Sequence, residues 1–141
     1  MLIGFTGSRE GMTDLQKQKF EIFLKDNLAS IKGFIHGDCV GSDTQAHIIA
    51  KELGIFIKIF PPDNATLRAF NKAEFMAPES PYLTRNRHIV NNCTMLVATP
   101  KEKIEAIRSG TWSTIRYAVK EDKPVFIIFP DGTTCELNPH I

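Results

Sequence analysis

The chain has few of the features that commit a protein to a metal, a disulfide framework or a membrane. Its three cysteines, Cys39, Cys93 and Cys135, are far apart and form no paired Cys/His pattern, which argues against a zinc site. Such isolated thiols are typical of a reducing compartment, so we expect a cytoplasmic protein. No apolar run reaches the ~18 residues of a membrane span, and no basic segment precedes an apolar one at the start. We therefore expect neither a membrane anchor nor a signal peptide.

An excess of charge of one sign is also missing. The net charge is +1, so no broad basic surface indicates nucleic acid and no acidic surface indicates a cationic partner. The acidic residues Asp38, Asp43 and Asp63 are scattered, and we predict no metal and no resident cofactor. The length of 141 residues and the 43% hydrophobic content predict one globular domain over 1–141.

Five short apolar runs predict five strands. Most are continuous rather than alternating in polarity, which is typical of strands that are covered on both faces. The runs lie at 2–6, 33–36, 55–60, 94–99 and 124–129. Helical patterns lie between them. Capping boxes at Thr13–Gln16 and Ser42–Gln45 predict two helix starts, and further helices are expected at about 83–92 and 111–121.

The alternation of strands and helices predicts an α/β fold. We expect a single Rossmann-like, three-layer domain with a mainly parallel sheet of about five strands. The connection at about 61–81 is long enough to suggest an active-site or lid loop. The tail at about 131–141 is predicted to be irregular.

Small and polar residues follow each predicted strand, where ligands of open parallel sheets bind. After the first strand, Gly7, Ser8 and Arg9 can contact an anion, with Glu10 next to them. After the second come His36, Gly37, Asp38, Gly41, Ser42 and Asp43, whose helix-start amides favour a phosphate or a carboxylate. The same pattern fits a plain glycine-rich turn with ordinary capping, and both interpretations stay open.

Two further segments are candidates for anion contact. Arg85, Asn86 and Arg87 fall near the start of a predicted helix, where two cations suggest an anion or a solvated basic turn. The stretch "RSGTWST" places Ser109, Gly110 and Thr111 at the next helix start, as a phosphate cradle or as a simple cap. No nucleophile with its base can be recognised, and Asp38 and Asp43 are weak catalytic candidates.

These segments, in this order, resemble the SLOG superfamily of Rossmann-like nucleotide-binding domains over about 2–130. "RNRHIVNN", "RSGTWSTIRYA" and the last apolar strand are similar to DprA/Smf proteins, and "GSRE" and "HGDCVGSD" also resemble small YspA-like members. The resemblance implies a nucleotide-type ligand at the carboxyl edge of the sheet. The LOG enzymes of this superfamily have a catalytic Glu where this chain has Thr114, which puts their hydrolase activity in doubt.

Three functions follow as hypotheses. The first is binding of a nucleotide or nucleotide-derived signal, as a sensor or sequestering protein, with Thr114 among the ligand-binding residues. The second is a nucleotide N-glycosidase or phosphoribohydrolase of LOG type, and the third is DprA-like binding of single-stranded DNA through Phe60, Phe70, Phe75 and Tyr82. The resemblance also implies a homo-oligomer, to which the apolar segments "FIKIF" and "AEFM" could contribute.

Overall fold

A seven-stranded sheet with helices on both faces forms the domain. The computed structural model describes residues 1–138. The strands are β1 (Leu2–Gly7), β2 (Gly33–His36), β3 (Ile57–Ile59), β4 (Phe75–Met76), β5 (Met95–Thr99), β6 (Val125–Ile128) and β7 (Thr134–Leu137). The helices are α1 (Asp14–Asp26), α2 (Ser42–Glu52), α3 (Tyr82–Asn92) and α4 (Gly110–Lys120), with a short 3-10 turn at Leu28–Ser30. The Rossmann-like α/β prediction is confirmed.

The strand order is β4-β3-β2-β1-β5-β6-β7, and only the last pair is antiparallel among the described strands. Chain order therefore reverses between β1 and β5, which pair in parallel from Ile3 with Met95 to Gly7 with Thr99. A crevice opens beyond the carboxyl ends of the two strands at such a switch point, because their following segments leave in opposite directions.

The core is divided by the sheet into two clusters. One face packs against α1 and α2, where the rings of Phe5, Phe20 and Phe34 lie 5.3–5.8 Å apart. The other face packs against α3 and α4 around Ile89, Leu96 and other apolar side chains. The strands between them are almost entirely buried, as their continuous apolar runs predict.

Helix starts followed the predicted capping in one case and not in the other. Thr13 and Gln16 form the expected box, in which each side chain accepts from the backbone N–H of the other. The box at Ser42 was wrong, since α2 takes Gly41 as its N-cap and Ser42 is already helical. The Ser42 hydroxyl instead donates to the carbonyl of Ser8, 2.7 Å away.

The two strands that were not predicted lie at the sheet edges. β4 is a two-residue strand inside the long connection, and β7 pairs antiparallel with β6 in the segment expected to be irregular. That expectation was wrong at Thr134–Leu137, because "TCEL" alternates in exposure along an edge strand. The part of the predicted irregular tail beyond residue 138 lies outside the described residues.

Two other expectations concerned membrane spans and the formation of a homo-oligomer. None of the helices within residues 1–138 is long and apolar enough to cross a membrane. Of the segments expected to support an oligomer, Ile57 and Ile59 are buried in the core, whereas Phe56, Phe75 and Met76 are about 40% exposed. Oligomerisation stays a prediction.

Candidate functional site

A cleft of about 480 Å³ opens at the switch point between β1 and β5. Its lining comes from three places: the turn after β1, the segment after β5 that leads into α4, and the first residue of α3. The lining residues are Gly7, Ser8, Arg9, Glu10, Tyr82, Lys101, Glu102, Ala106, Arg108, Ser109, Gly110 and Thr111. The topology thus brings together two stretches that are about 90 residues apart in the chain.

The start of α4 faces this cleft with free backbone donors. Ser109 is the N-cap, and its hydroxyl oxygen accepts from the N–H of Trp112 at 3.2 Å. The N–H groups of Gly110 and Thr111 have no acceptor within residues 1–138. Two unpaired amides at the positive end of a helix dipole are a common arrangement for binding an anion.

Tyr82 forms one wall of the cleft and packs tightly against α4. A Cβ atom at position 110 would overlap the Tyr82 hydroxyl, so Gly110 allows α3 and α4 to approach closely here. The Tyr82 ring lies between two guanidinium groups, with Arg9 at 5.8 Å and Arg85 at 5.2 Å from its centre. These cation–π contacts hold the ring at the base of the cleft.

The charges of the cleft are incompletely paired. Lys101 donates to Glu10 at 2.8 Å, and this hydrogen bond raises the pKa of the lysine. Arg9 and Arg108 are exposed and form no ion pair within residues 1–138. Three cations therefore stand against the two carboxylates of Glu10 and Glu102, and the two unpaired arginines favour an anionic ligand.

Unsatisfied polar atoms gather along the same segment. Three buried side-chain atoms of residues 1–138 lack a hydrogen-bond partner: Thr99 Oγ1, Glu102 Oε1 and Trp112 Nε1. All of them belong to the stretch from the end of β5 to the first turn of α4, which borders the cleft. Buried polar atoms are nearly always paired in folded proteins, and of these three residues Glu102 is the one that lines the cleft.

A second group of polar residues lies beside the cleft, beneath the 61–81 connection. We call it the buried polar cluster, and it consists of His36, Asp38, Asp43, His47 and Arg85. Each is at most 6% exposed. These side chains form hydrogen bonds with other groups of the protein.

Asp38 fastens the long connection to the sheet. It has a positive φ of 56° and is fully buried. Its carboxylate accepts from the backbone N–H and the side-chain amide of Asn71 at 2.9 and 3.0 Å, and from Arg68 Nε at 3.3 Å. A carboxylate held in this way is a structural anchor for the loop.

The two histidines of the cluster form a buried pair. Asp38 N–H donates to His36 Nδ1 at 2.9 Å, so the proton of the neutral ring sits on Nε2, which lies 2.9 Å from His47 Nδ1. Burial, together with the charges of the neighbouring His47 and Arg85, lowers the pKa of His36 from 6.5 to about 3. Burial also lowers the pKa of His47. His36 is therefore neutral near pH 7.

Arg85 joins the ends of β2 and β3. Its guanidinium donates to the carbonyls of Gly37 and Phe60, the latter at 3.1 Å, and to Cys39 Sγ at 3.3 Å. Its Nε donates to the Asn86 side chain at 2.8 Å. These contacts occupy the group that the sequence suggested for a phosphate.

Asp43 lies beside Arg85 in the first turn of α2. Its carboxylate accepts from the Cys39 N–H at 3.0 Å. Burial raises its pKa from 3.8 to about 6, against the opposing effect of Arg85. Asp43 lines a narrow crevice of about 10 Å³ rather than the open cleft.

The start of α2 is covered by the turn that follows β1. Gly41 has a φ of 87°, and a side chain there would overlap the backbone of Arg9. The Ser42 N–H and hydroxyl both donate to the Ser8 carbonyl, at 3.1 and 2.7 Å. The glycine-rich turn therefore supports the β1 loop from below.

The structure divides the residues suggested by sequence into three places. Six of them line the cleft: Gly7, Ser8, Arg9, Ser109, Gly110 and Thr111. His36, Gly37, Asp38, Gly41, Ser42, Asp43 and Arg85 lie beneath it or in the buried polar cluster. Asn86, Arg87 and Thr114 line a separate groove of about 280 Å³ between α3 and α4. Thr114 donates to the Gly110 carbonyl at 2.9 Å.

Sequence reasoning missed four cleft residues as ligand contacts: Lys101, Glu102, Ala106 and Arg108. They follow β5, and their position after a central strand was the signal that could have indicated them. Within residues 1–138 there is no group of three or more His, Cys, Asp or Glu side chains placed to hold a metal ion.

Comparisons with known proteins bear on the fold. No family model matches the chain, and no curated protein matches it significantly. The molybdenum cofactor binding protein of the phototrophic bacterium Rippkaea orientalis is similar in structure, with a TM-score of 0.71 and 21% identity over 91% of this chain and 76% of that one. TM1055 is similar with a TM-score of 0.63 and 14% identity, over 88% and 71%.

The DNA processing protein A (DprA) of Streptococcus pneumoniae is a third structural neighbour. Its TM-score is 0.66 and its identity 20%, over 89% of this chain and 49% of DprA, so the chain spans about half of that protein. At such identities the likeness establishes the shared fold. This Rossmann-like fold is the one that the resemblance to the SLOG superfamily implies.

Proposed function

We propose that this protein binds a nucleotide or a nucleotide-derived signalling ligand in the cleft between β1 and β5, as a sensor or sequestering protein. The observation that carries the proposal is the convergence, in one cleft of about 480 Å³, of free α4 amides and unpaired arginines. A cleft of this size is within the range of small-molecule sites.

The donors favour a phosphate group. The N–H groups of Gly110 and Thr111 and the guanidinium group of Arg108 belong to the segment around the start of α4, and the guanidinium group of Arg9 comes from the turn after β1. Arginine binds phosphate oxygens in a bidentate manner, and helix-start amides add donors that need no reorganisation. The Tyr82 ring supplies an aromatic surface at the base.

The positions of the carboxylates favour binding over turnover. The hydrolase alternative relied on Asp38 and Asp43, with Glu10 behind them. The two aspartates are engaged in internal hydrogen bonds outside the cleft, and Glu10, which lines the cleft, pairs with Lys101 at 2.8 Å. Thr114 is committed to a helix carbonyl. One structural neighbour is described as a molybdenum cofactor binding protein, which supports a small-molecule ligand for this fold without identifying it here.

The test is isothermal titration of the purified protein with AMP, ADP, cyclic AMP, GMP, ADP-ribose and pyrophosphate. We expect at least one nucleotide to bind, and Arg108→Met to weaken it by about 10-fold or more, because a charge-assisted hydrogen bond contributes ~1.5–3 kcal/mol. Lys19→Met, an exposed cation on α1, is the matched control and should leave affinity unchanged. Failure of every compound to bind folded protein would overturn the proposal.

A single-stranded DNA function remains the second candidate because of two exposed aromatic side chains. Phe70 and Phe75 are 58% and 43% exposed, and Arg68 and Lys58 lie over their rings at 4.7 and 5.6 Å. Aromatic faces beside cations suit stacked bases. Fluorescence anisotropy with a labelled 20-nucleotide strand tests it, and Phe70→Ala with Phe75→Ala should abolish any signal.

A further inference from the structure

Glu102 is a carboxylate of the cleft, and one of its oxygens has no hydrogen-bond partner within residues 1–138. This oxygen, Oε1, is buried. The side chain as a whole is partly exposed, so the carboxylate borders both the protein interior and the cleft. A buried acceptor without a donor is destabilising, and a ligand donor that reaches the carboxylate would remove that cost.

Most of the neighbouring charges on the same segment are engaged elsewhere, and Arg108 is the exception. Lys101 pairs with Glu10 at 2.8 Å, Lys103 with Asp131 at 2.6 Å, and Arg116 of α4 with Glu105 at 2.8 Å. These pairs anchor the segment on both sides of Glu102 and engage Lys101 and Lys103, the two cations next to it in the chain. The Glu102 carboxylate therefore keeps an unpaired oxygen on a segment that ion pairs hold in place.

The other donors of the cleft limit what Glu102 can bind. A phosphate is repelled by a carboxylate, and the α4 amides with Arg9 and Arg108 already offer it a place. Glu102 requires a neutral or cationic donor on the same ligand. A pair of adjacent hydroxyl groups fits a carboxylate well, since each hydroxyl can donate to one oxygen.

Resting on the proposed function, we propose that Glu102 is a specificity residue that accepts hydrogen bonds from the ribose hydroxyls of the ligand. The protein then selects ribonucleotides over 2′-deoxyribonucleotides. Loss of one hydroxyl leaves part of the carboxylate unpaired in the complex, and sites that hydrogen-bond a hydroxyl reject analogues that lack it.

The experiment compares matched pairs by isothermal titration: AMP with 2′-deoxy-AMP, and GMP with 2′-deoxy-GMP, alongside pyrophosphate. For wild type we expect the ribose form to bind about 10–100-fold more tightly, from the ~1.5–3 kcal/mol of a hydrogen bond to a charged group. Glu102→Gln should reduce the ratio by about 10-fold and leave pyrophosphate affinity equal or tighter, because a negative charge is removed.

Glu105→Gln is the matched control, because Glu105 lies on the same segment and already pairs with Arg116. In Glu105→Gln, the ratio of ribonucleotide to 2′-deoxyribonucleotide affinity should equal that of wild type. Thermal unfolding confirms that each variant is folded. Equal binding of both sugars by wild type, or an unchanged ratio in Glu102→Gln, overturns this inference and leaves the proposed function intact. If none of the nucleotides or pyrophosphate binds, the proposed function fails and this inference fails with it.

Discussion

The cleft and the buried polar cluster lie next to each other at one edge of the sheet, and both are rich in polar and ionisable side chains. In the cluster, the Asp38 carboxylate and the Arg85 guanidinium each make three or more hydrogen bonds within the protein. Beside the cleft, by contrast, Thr99, Glu102 and Trp112 each have a buried atom without a partner. Saturation with internal hydrogen bonds therefore separates the structural polar cluster from the proposed ligand site.

The largest effect is expected from removing the central cation of the cluster. Arg85→Met leaves the carbonyls of Gly37 and Phe60 without donors, at about 1–3 kcal/mol for each buried acceptor. We expect the free energy of unfolding to fall by about 3–4 kcal/mol, measured by urea denaturation. Arg87→Met, an exposed position two residues further along α3, is the control and should change it by less than about 0.5 kcal/mol. Equal stabilities for the two variants would contradict the structural role of Arg85.

A smaller effect is expected at the base of the cleft. In Gly110→Ala, the new methyl group overlaps the Tyr82 hydroxyl, and overpacking of this kind costs about 1–3 kcal/mol of unfolding free energy. Removing the hydroxyl in Tyr82→Phe should recover part of that cost, so the double variant should be more stable than the sum of the single changes predicts. Strict additivity in denaturation experiments would show that the two residues do not press on each other.

The smallest effect is a pH dependence with opposite contributions from two members of the cluster. His36 has its pKa lowered to about 3, so the unfolded chain binds more protons below about pH 6.5 and stability is lost as the pH falls. Asp43 has its pKa raised to about 6, so the folded chain binds more protons between about pH 3.8 and 6, and stability is gained as the pH falls. The two contributions oppose each other between about pH 4 and 6.

Single variants should separate these contributions. Asp43→Asn should show a steeper loss of unfolding free energy on acidification than wild type, and His36→Gln a shallower one. Each slope should change by up to ~1.4 kcal/mol per pH unit, the value for one proton. Urea denaturation at pH 4.5, 5.5 and 6.5 measures the slopes. If both variants keep the wild-type slope, the titration of the cluster has been misassigned.

The sequence was most informative where local patterns suffice. Continuous apolar runs predicted the five central strands, because strands covered on both faces need apolar residues at every position. Thr13 and Gln16 predicted the start of α1, since capping is decided within one turn. β4 and β7 were missed because short edge strands carry little apolar signal, and their pairing depends on neighbours distant in the chain.

In the candidate site, too, some features followed from local sequence patterns and others depended on distant contacts. That polar turns would gather at one edge of the sheet followed from the sequence, because parallel strands present their carboxyl ends together. Which turns would remain free for a ligand was decided by tertiary packing. Asp38 and Arg85 found partners in a loop and two strand ends, contacts between residues 25 to 48 positions apart.

The sequence by itself determined the alternating α/β architecture, the order of its central elements and the edge where polar groups meet. Only the tertiary structure decided that Ser109, Gly110 and Thr111 face an open cleft, whereas the glycine-rich turn after β2 supports the β1 loop. The physical reason is that periodicity and capping act over a few neighbouring residues. Whether a donor or acceptor stays free depends instead on which distant atoms the fold brings within hydrogen-bonding distance.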